Sequence, residues 1–209
     1  MKKKVLITGG SSGIGKSMVR LFARKNYSVH FTYNTNQQSA AQLMDELNQN
    51  EVEMYHFDQG EEQSVKQLLS VIPPDISILI NNAALGSGTV QQISDDPYEQ
   101  DRKLLEVNVL GVLWLTQGIL PRMRETGGKI INISSVGGGI FHFKGFRIAD
   151  GISKAAITYL TKHLAAELSH SKIDVFAICP GATDTNMFQV STLNKMNDPQ
   201  RKAFVKNLA

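Results

Sequence analysis

The sequence predicts an α/β fold, a doubly wound parallel sheet in a single domain, and three observations point to it. Short apolar runs alternate with longer stretches of helical periodicity, with no repeat or linker between them. The runs are apolar nearly throughout instead of alternating, so they are buried on both faces, as in a parallel sheet flanked by helices. The segments joining them are long enough for right-handed βαβ crossovers. At 209 residues the chain suits one domain with a full-sized core.

In chain order, residues 5–7 read as a buried first strand. A helix follows from about Gly13, with Ile14, Met18, Leu21 and Phe22 expected on its inner face. Residues 28–32 form a second strand, and Ala40, Leu43, Met44 and Leu47 mark the next amphipathic helix. Residues 52–57 are a third strand, followed by a helix carrying Val65, Leu68 and Leu69. Pro73 and Pro74 close that element before a fourth strand at 76–80. A long helix runs from near Pro97 to Arg124, and a fifth strand spans 129–133. The helix at about 149–170 leads into a sixth strand at 174–179.

Composition is that of an ordinary globular protein, and a net charge of +3 gives no argument for nucleic acid. The distribution is uneven. The first acid is Asp45, after seven cations: Lys2, Lys3, Lys4, Lys16, Arg20, Arg24 and Lys25. Such a block is either a solvated accident or an electropositive mouth for a phosphorylated ligand. The lone Cys179, inside an apolar run, is read as a small buried thiol and rules out an internal disulfide. No apolar stretch looks long enough to span a bilayer, and no signal-peptide core follows the lysine triplet, so a cytoplasmic protein is expected. No metal-ligand set and no membrane or nucleic-acid partner are expected.

The first strand runs into Thr8–Gly9–Gly10–Ser11–Ser12–Gly13–Ile14–Gly15, where a helix starts at once. Glycines there let the backbone turn tightly and approach a pyrophosphate, whose oxygens take the free N–H groups of the helix start. Placed between a first strand and a first helix, this turn marks a Rossmann-type nicotinamide dinucleotide site, with Gly9, Ser11, Ser12, Gly13, Ile14 and Gly15 as binding residues. An NAD site usually carries Asp or Glu about 20 residues beyond the glycines, on the ribose hydroxyls. Here the end of strand two reads Thr32–Tyr33–Asn34–Thr35–Asn36, with no acid to repel a 2′-phosphate. NADP(H) is therefore the expected cofactor, NAD(H) the alternative, with Ser11, Ser12, Asn34 and Thr35 as phosphate partners.

Together with that turn, four further segments resemble the classical short-chain dehydrogenase/reductase family in family order. Asn81–Asn82–Ala83–Ala84 is similar to its N-N-A-G motif, Asn108 to its active-site asparagine, and Ser135 to its catalytic serine. Pro180–Gly181 followed by Thr185 is similar to the P-G-x-x-x-T segment that embraces the nicotinamide. The resemblance implies cofactor contacts from Asp58 (at adenine), Asn81, Ala83, Lys154, Pro180, Gly181, Thr183 and Thr185. It also implies reaction with a small carbonyl or alcohol, and a homodimer or homotetramer built partly on the 149–170 helix. A substrate lid at about 186–209 is implied too, its polar part beginning at Thr192 with Met196 and Phe204 as anchors. The chain stops where the family continues with a further helix and last strand, so an open sheet edge is expected.

One match fails. Where the family has Y-x-x-x-K, this chain has Asp150–Gly151–Ile152–Ser153–Lys154, so the lysine is present and the tyrosine is aspartate. A tyrosine starts near pKa 10 and can donate a proton, whereas aspartate starts near 3.9 and Lys154 favours its ionised form. A carboxylate about 4 Å from a developing alkoxide opposes it by roughly 4 kcal/mol at an effective dielectric of about 20. That is about a thousandfold in rate.

Three readings follow. Asp150 and Lys154 form an ordinary i, i+4 ion pair on a protein that binds cofactor and reduces carbonyls poorly, His142 in the aromatic loop replaces the tyrosine as acid, or Asp150 is a base in different chemistry. Tyr159 is too far along the helix, roughly 13 Å, to serve. The competing class is a non-catalytic dinucleotide-binding module, a sensor or a partner of an active homologue.

Overall fold

The computed structural model describes residues 2–140 and 146–206. Six parallel strands, β1 (Lys4–Ile7), β2 (Ser28–Tyr33), β3 (Val52–His56), β4 (Ile76–Asn81), β5 (Gly128–Ile133) and β6 (Ile173–Ile178), form one sheet in the order β3-β2-β1-β4-β5-β6. The order reverses between β1 and β4, which opens a crevice at their carboxyl ends, where ligands bind in sheets of this kind.

Two cores lie on the two faces. On one, α3 (Glu62–Val71), α5 (Gly111–Thr126) and α6 (Ile148–Glu167) pack Leu68, Leu115, Ile119, Met123 and Leu164 against Leu6, Leu79 and Ile130. On the other, α1 (Gly13–Arg24) and α2 (Gln37–Glu46) pack Val19, Ala23, Ala40 and Leu43 against Val5, Ile7, Val29 and Phe31. Removing this apolar surface from water, at roughly 25 cal/mol per Å², is what holds the layers together.

The inner face of α1 departs from expectation. Gly15, Val19 and Ala23 are its buried residues, Met18 and Phe22 are partly buried, and Leu21 is 51% exposed. The glycine turn enters the helix so tightly that the smallest side chains face the sheet, bringing helix and strand close together. Leu21, with Ile14 and Met18, instead faces a cleft described below.

Helix α4 (Pro97–Leu105) has Asp96 as N-cap, its carboxylate accepting from Tyr98 N, and Pro97 in the first turn. It passes through a wide π turn, Glu106–Leu110, into α5. The run 97–126 is long and apolar enough to cross a membrane, against the expectation from the sequence. Here Leu115, Ile119 and Met123 within it are fully buried in the core. The carboxyl-terminal region forms α7 (Asn186–Ser191) and α8 (Asp198–Lys206), bridged by Phe188 and Phe204 with ring centroids 6.3 Å apart.

β6 is an open edge, as expected. On its face away from α6, Phe176 and Ile178 are about half exposed. Cys179, just beyond, is partly exposed and not the buried thiol the apolar run suggested.

The basic amino-terminal block does not form a mouth. Lys2 and Lys4 sit at the amino end of β1, opposite the crevice, and pair with Glu51 and Asp75; Arg20 pairs with Glu46 through two hydrogen bonds. Of the seven cations, Lys16 is the one that hydrogen-bonds beside the turn.

Candidate active site

The glycine turn is fixed from three sides. Gly9 N donates to Thr32 Oγ1 (3.1 Å) and Gly10 N to Thr32 O (2.8 Å), tying it to β2. Thr8 Oγ1, fully buried, accepts from both Asn82 N (3.0 Å) and Ala83 N (2.9 Å), and Asn82 Nδ2 donates back to Thr8 O (2.8 Å). Gly9 and Gly13 have φ of +67° and +51°, where a side chain is strained. A Cβ on Gly15 would lie 2.1 Å from Gly9 O, so that position tolerates no side chain at all.

Ser12, the N-cap of α1, is exposed and makes no side-chain capping bond, which leaves the helix start without a side-chain acceptor. Facing it is the segment 183–185, and Thr185 Cγ2 lies 3.2 Å from where a Cβ on Gly13 would be. Between them opens a cleft of about 330 Å³ lined by Gly13, Ile14, Ser17, Met18 and Leu21 on α1 and by Thr183, Asp184 and Thr185 opposite. Unpaired N–H groups, a helix dipole and an open cleft fit a pyrophosphate.

Other cofactor positions fall into place unevenly. Pro180 is partly exposed and Gly181 exposed, at the carboxyl end of β6. Asp58 Oδ1 accepts from Gly60 N (2.9 Å), so the carboxylate is held at the end of β3. Asn34 and Thr35 are exposed beyond β2, while Ser11 is buried and offers its carbonyl to Ser39 Oγ (2.7 Å). Lys16 Nζ reaches the same hydroxyl at 3.4 Å, placing a cation in this acid-free corner that sequence reading did not single out.

Ala83 is engaged through its backbone, its carbonyl accepting from Gln59 Nε2 (2.9 Å). The Asn81 side chain is turned into the protein. At 3% exposure it donates to Asn132 Oδ1 (2.8 Å) and Thr116 Oγ1 (3.1 Å), bracing β4 against β5 and α5 and not reaching toward a ligand.

The reaction side is built around α6. Ser134 and Ser135 end β5 and divide their tasks. Ser134 is buried and donates to Lys154 O (2.8 Å). Ser135 is partly exposed, and its Oγ accepts from Gly137 N (3.1 Å), leaving its own proton available. Of the two, Ser135 is the one whose hydroxyl is open to the crevice side and makes no donated bond to a described residue.

Asn108 sits in the π turn and is 1% exposed, with all its side-chain valence used internally. Its Nδ2 donates to Leu85 O (2.8 Å) and Ser153 Oγ (3.0 Å), and its Oδ1 accepts from Leu85 N (2.7 Å). Its side chain pins the loop after β4 to α6, and π turns of this kind recur at functional sites.

Asp150 is where sequence reading fell furthest short. Its carboxylate forms no ion pair with Lys154. Buried at 2% exposure, Oδ2 accepts from Ser87 N (2.7 Å) and from Ser87 Oγ (2.7 Å). The Ser87 hydroxyl in turn accepts from Arg147 N (3.0 Å), and the Arg147 guanidinium is held by Asp101, Gln100 and Pro97 O. The carboxylate is therefore a staple between the loop at 85–89 and the first turn of α6, where a negative charge also suits the helix dipole. Its charge is directed into these hydrogen bonds, which weakens the repulsion expected for a free carboxylate beside a carbonyl. Ser87 lies 63 residues away in sequence and carried no signal.

The stapled loop receives α7. Gly88 N donates to Ser191 Oγ (3.2 Å), and Met187 packs where a side chain on Gly86 would stand. The Lys154 ammonium, on a half-buried side chain, makes no hydrogen bond or ion pair with any described residue, and burial lowers its pKa despite the opposing field of Asp150. Tyr159 is exposed and stacks on His163. His142, Phe141 and Phe143 lie outside the described residues.

A glycine turn at the switch point of a parallel sheet, opposite a P-G-x-x-x-T segment, defines a dinucleotide-binding protein. Comparison with known proteins gives the family. The short chain dehydrogenase profile matches residues 3–196, and the chain belongs to that family. An uncharacterized oxidoreductase of Bacillus subtilis is 32% identical over 92% of this chain and 79% of its own length. The 3-ketodihydrosphingosine reductase of Bacteroides thetaiotaomicron is 30% identical over 98% of this chain and 74% of its own. Among solved structures, the closed form of serine dehydrogenase complexed with NADP+ superposes with a TM-score of 0.81 at 27% identity, covering 98% of this chain and 82% of that one. An actinorhodin polyketide ketoreductase variant with NADPH gives 0.80 at 26% identity, covering 99% and 81%.

Proposed function

We propose that the protein is an NADP(H)-dependent oxidoreductase acting on a small carbonyl or alcohol, with a proton-transfer centre in which Asp150 has left the tyrosine's role. The observation that carries this reading is the open, uncapped start of α1 facing Thr183–Thr185 across a cleft. When bound there, the nicotinamide supplies or accepts the hydride. The α1 start and Ser12 hold the pyrophosphate, Lys154 the nicotinamide ribose, and Ser135 offers its hydroxyl to the substrate oxygen. Helix α7, seated on the 85–89 loop, and α8, packed on it through Phe188 and Phe204, cover the substrate as a lid.

NADP(H) is preferred because Lys16, Asn34, Thr35 and Ser39 surround the place of a 2′-phosphate without a carboxylate, and Glu46 nearby is neutralised by Arg20. Relatives of known structure were solved with NADP+ or NADPH, which supports the same choice. Fluorescence titration should show NADPH binding more tightly than NADH, and Lys16→Ala should weaken NADPH by about tenfold while sparing NADH. Tighter NADH binding would overturn the preference.

A homodimer is proposed as well. An apolar groove of about 610 Å³ between α5 and α6, lined by Val109, Leu113, Ile152, Ala156, Tyr159 and His163, is the surface for it. Sedimentation as a monomer at micromolar concentration would remove that proposal.

A further inference from the structure

We infer that Lys154 is the proton donor to the substrate oxygen, in place of the missing tyrosine. The inference rests on the oxidoreductase reading above and names the group that completes it. Its ground is an elimination among the described groups on the reaction side, which leave out His142. Asp150 is turned onto Ser87, whose N–H and hydroxyl both donate to its Oδ2, so the side chain is committed to the 85–89 loop. Both amide protons of Asn108 are spent on Leu85 O and Ser153 Oγ, and the Ser153 hydroxyl is spent on Asp150 O. Tyr159 is exposed on another face of α6. Ser135 has a free proton, but a serine hydroxyl is too weak an acid to lose it unaided and can only hydrogen-bond the oxygen.

Lys154 is different in kind. Its backbone is fixed beside Ser135, because its carbonyl accepts from Ser134 Oγ (2.8 Å) and Thr158 Oγ1 (3.2 Å). From above, the loop after β5 presses on it so closely that a Cβ on Gly138 would lie 2.8 Å from Lys154 C and 2.9 Å from its Cβ. The ammonium is left half-buried with no partner among the described residues, the state of a group held in reserve. Burial moves its pKa downward, toward the range in which a proton is given up readily. Of the described ionisable groups only Asp150, one turn back on α6, acts on it; in β5 Lys129 is paired with Asp174 and Asn132 is bonded to Asn81 and Thr161, and the 135–140 segment brings Ser135, glycines and apolar side chains.

In the reduction, the carbonyl carbon gains a C–H bond from the hydride of NADPH, and the π pair of the carbonyl moves onto oxygen. An N–H bond of Lys154 breaks as the O–H bond of the alcohol forms. NADPH is oxidised to NADP+, the carbonyl is reduced to the alcohol, and water reprotonates the neutral amine.

Two measurements test this. In the first, the free protein's lysines are 13C-dimethylated and titrated by NMR, with the Lys154 signal assigned by its absence in Lys154→Arg. Lys154 should titrate clearly below the ordinary lysine value near 10.4. In the second, wild type and Lys154→Arg are compared for NADPH affinity and for turnover of a carbonyl panel. Arginine keeps the positive charge and the donors to ribose but does not release a proton in the working range. At saturating NADPH, whatever the change in NADPH affinity, kcat should fall by about 100-fold or more. The wild-type kcat should also decline as rising pH deprotonates Lys154. Retained turnover in Lys154→Arg, titration of Lys154 with the other lysines, or no turnover by NADPH-loaded wild type would each overturn the inference. Failure of NADPH to bind would instead overturn the cofactor reading beneath it.

Discussion

Replacing Asp150 by alanine should destabilise the fold itself, and the size of the effect follows from its surroundings. The carboxylate accepts two hydrogen bonds of 2.7 Å from Ser87 in a site 2% exposed. Hydrogen bonds to a charged acceptor contribute about 1.5–3 kcal/mol each, and a buried N–H left without a partner costs about 1–3 kcal/mol. Against this, alanine removes a buried charge whose desolvation is itself unfavourable. The balance is a loss of about 2–4 kcal/mol for Asp150→Ala, and about 1 kcal/mol for Asp150→Asn, whose amide oxygen can still accept both bonds. Urea denaturation gives the free energies directly. In a thermal scan the alanine variant should melt about 5–15 °C lower, at about 2–4 °C per kcal/mol for a chain of this size. A double-mutant cycle with Ser87→Ala should show a coupling of about 1–2 kcal/mol. Stability of Asp150→Ala within about 0.5 kcal/mol of wild type would refute the staple.

Two further outcomes are expected. Gly15→Ala, which sets a Cβ 2.1 Å from Gly9 O, should abolish detectable NADPH binding by fluorescence; binding within about threefold of wild type would contradict the assigned turn. His30 is buried between Ser28 and Tyr55, and burial holds its pKa below the usual value near 6.5. The unfolded chain therefore takes up a proton that the folded chain refuses, so stability is full above pH ~6.5 and falls as pH drops from there toward the lower folded value. Urea midpoints at pH 7.5 and 5.5 should show this slope in wild type and a shallower one in His30→Gln; an unchanged slope would assign the effect elsewhere.

The sheet was legible because its signals are local. Apolar runs such as Ile76–Asn81 stay buried whatever surrounds them, and the glycine turn needs its conformations where they stand. Long-range consequences were not legible. The spacing of Asn81 and Asn108 identifies both, yet neither shows that its amide nitrogen donates inside the protein to residues 23 to 51 positions away. Asp150 could be read as out of place, but its partner Ser87 arrives only through packing of the β4 loop on α6. The inner face of α1 was misread because hydrophobicity favours Leu21, while close helix–sheet approach favours Gly15 and Ala23. The basic block misled because charge counts ignore that Lys2 and Lys4 stand at the amino ends of parallel strands, away from the crevice.

Hydride transfer is the central claim, and isotope transfer tests it most directly. Wild-type protein is incubated with NADPH deuterated at the nicotinamide C4 and a panel of small carbonyls, and the products are read by mass spectrometry. The account predicts an alcohol carrying one carbon-bound deuterium from one face of the cofactor, and none when the label is only in the water. Unlabelled product, or no product while NADPH binds, would show a dinucleotide-binding protein that is not an oxidoreductase.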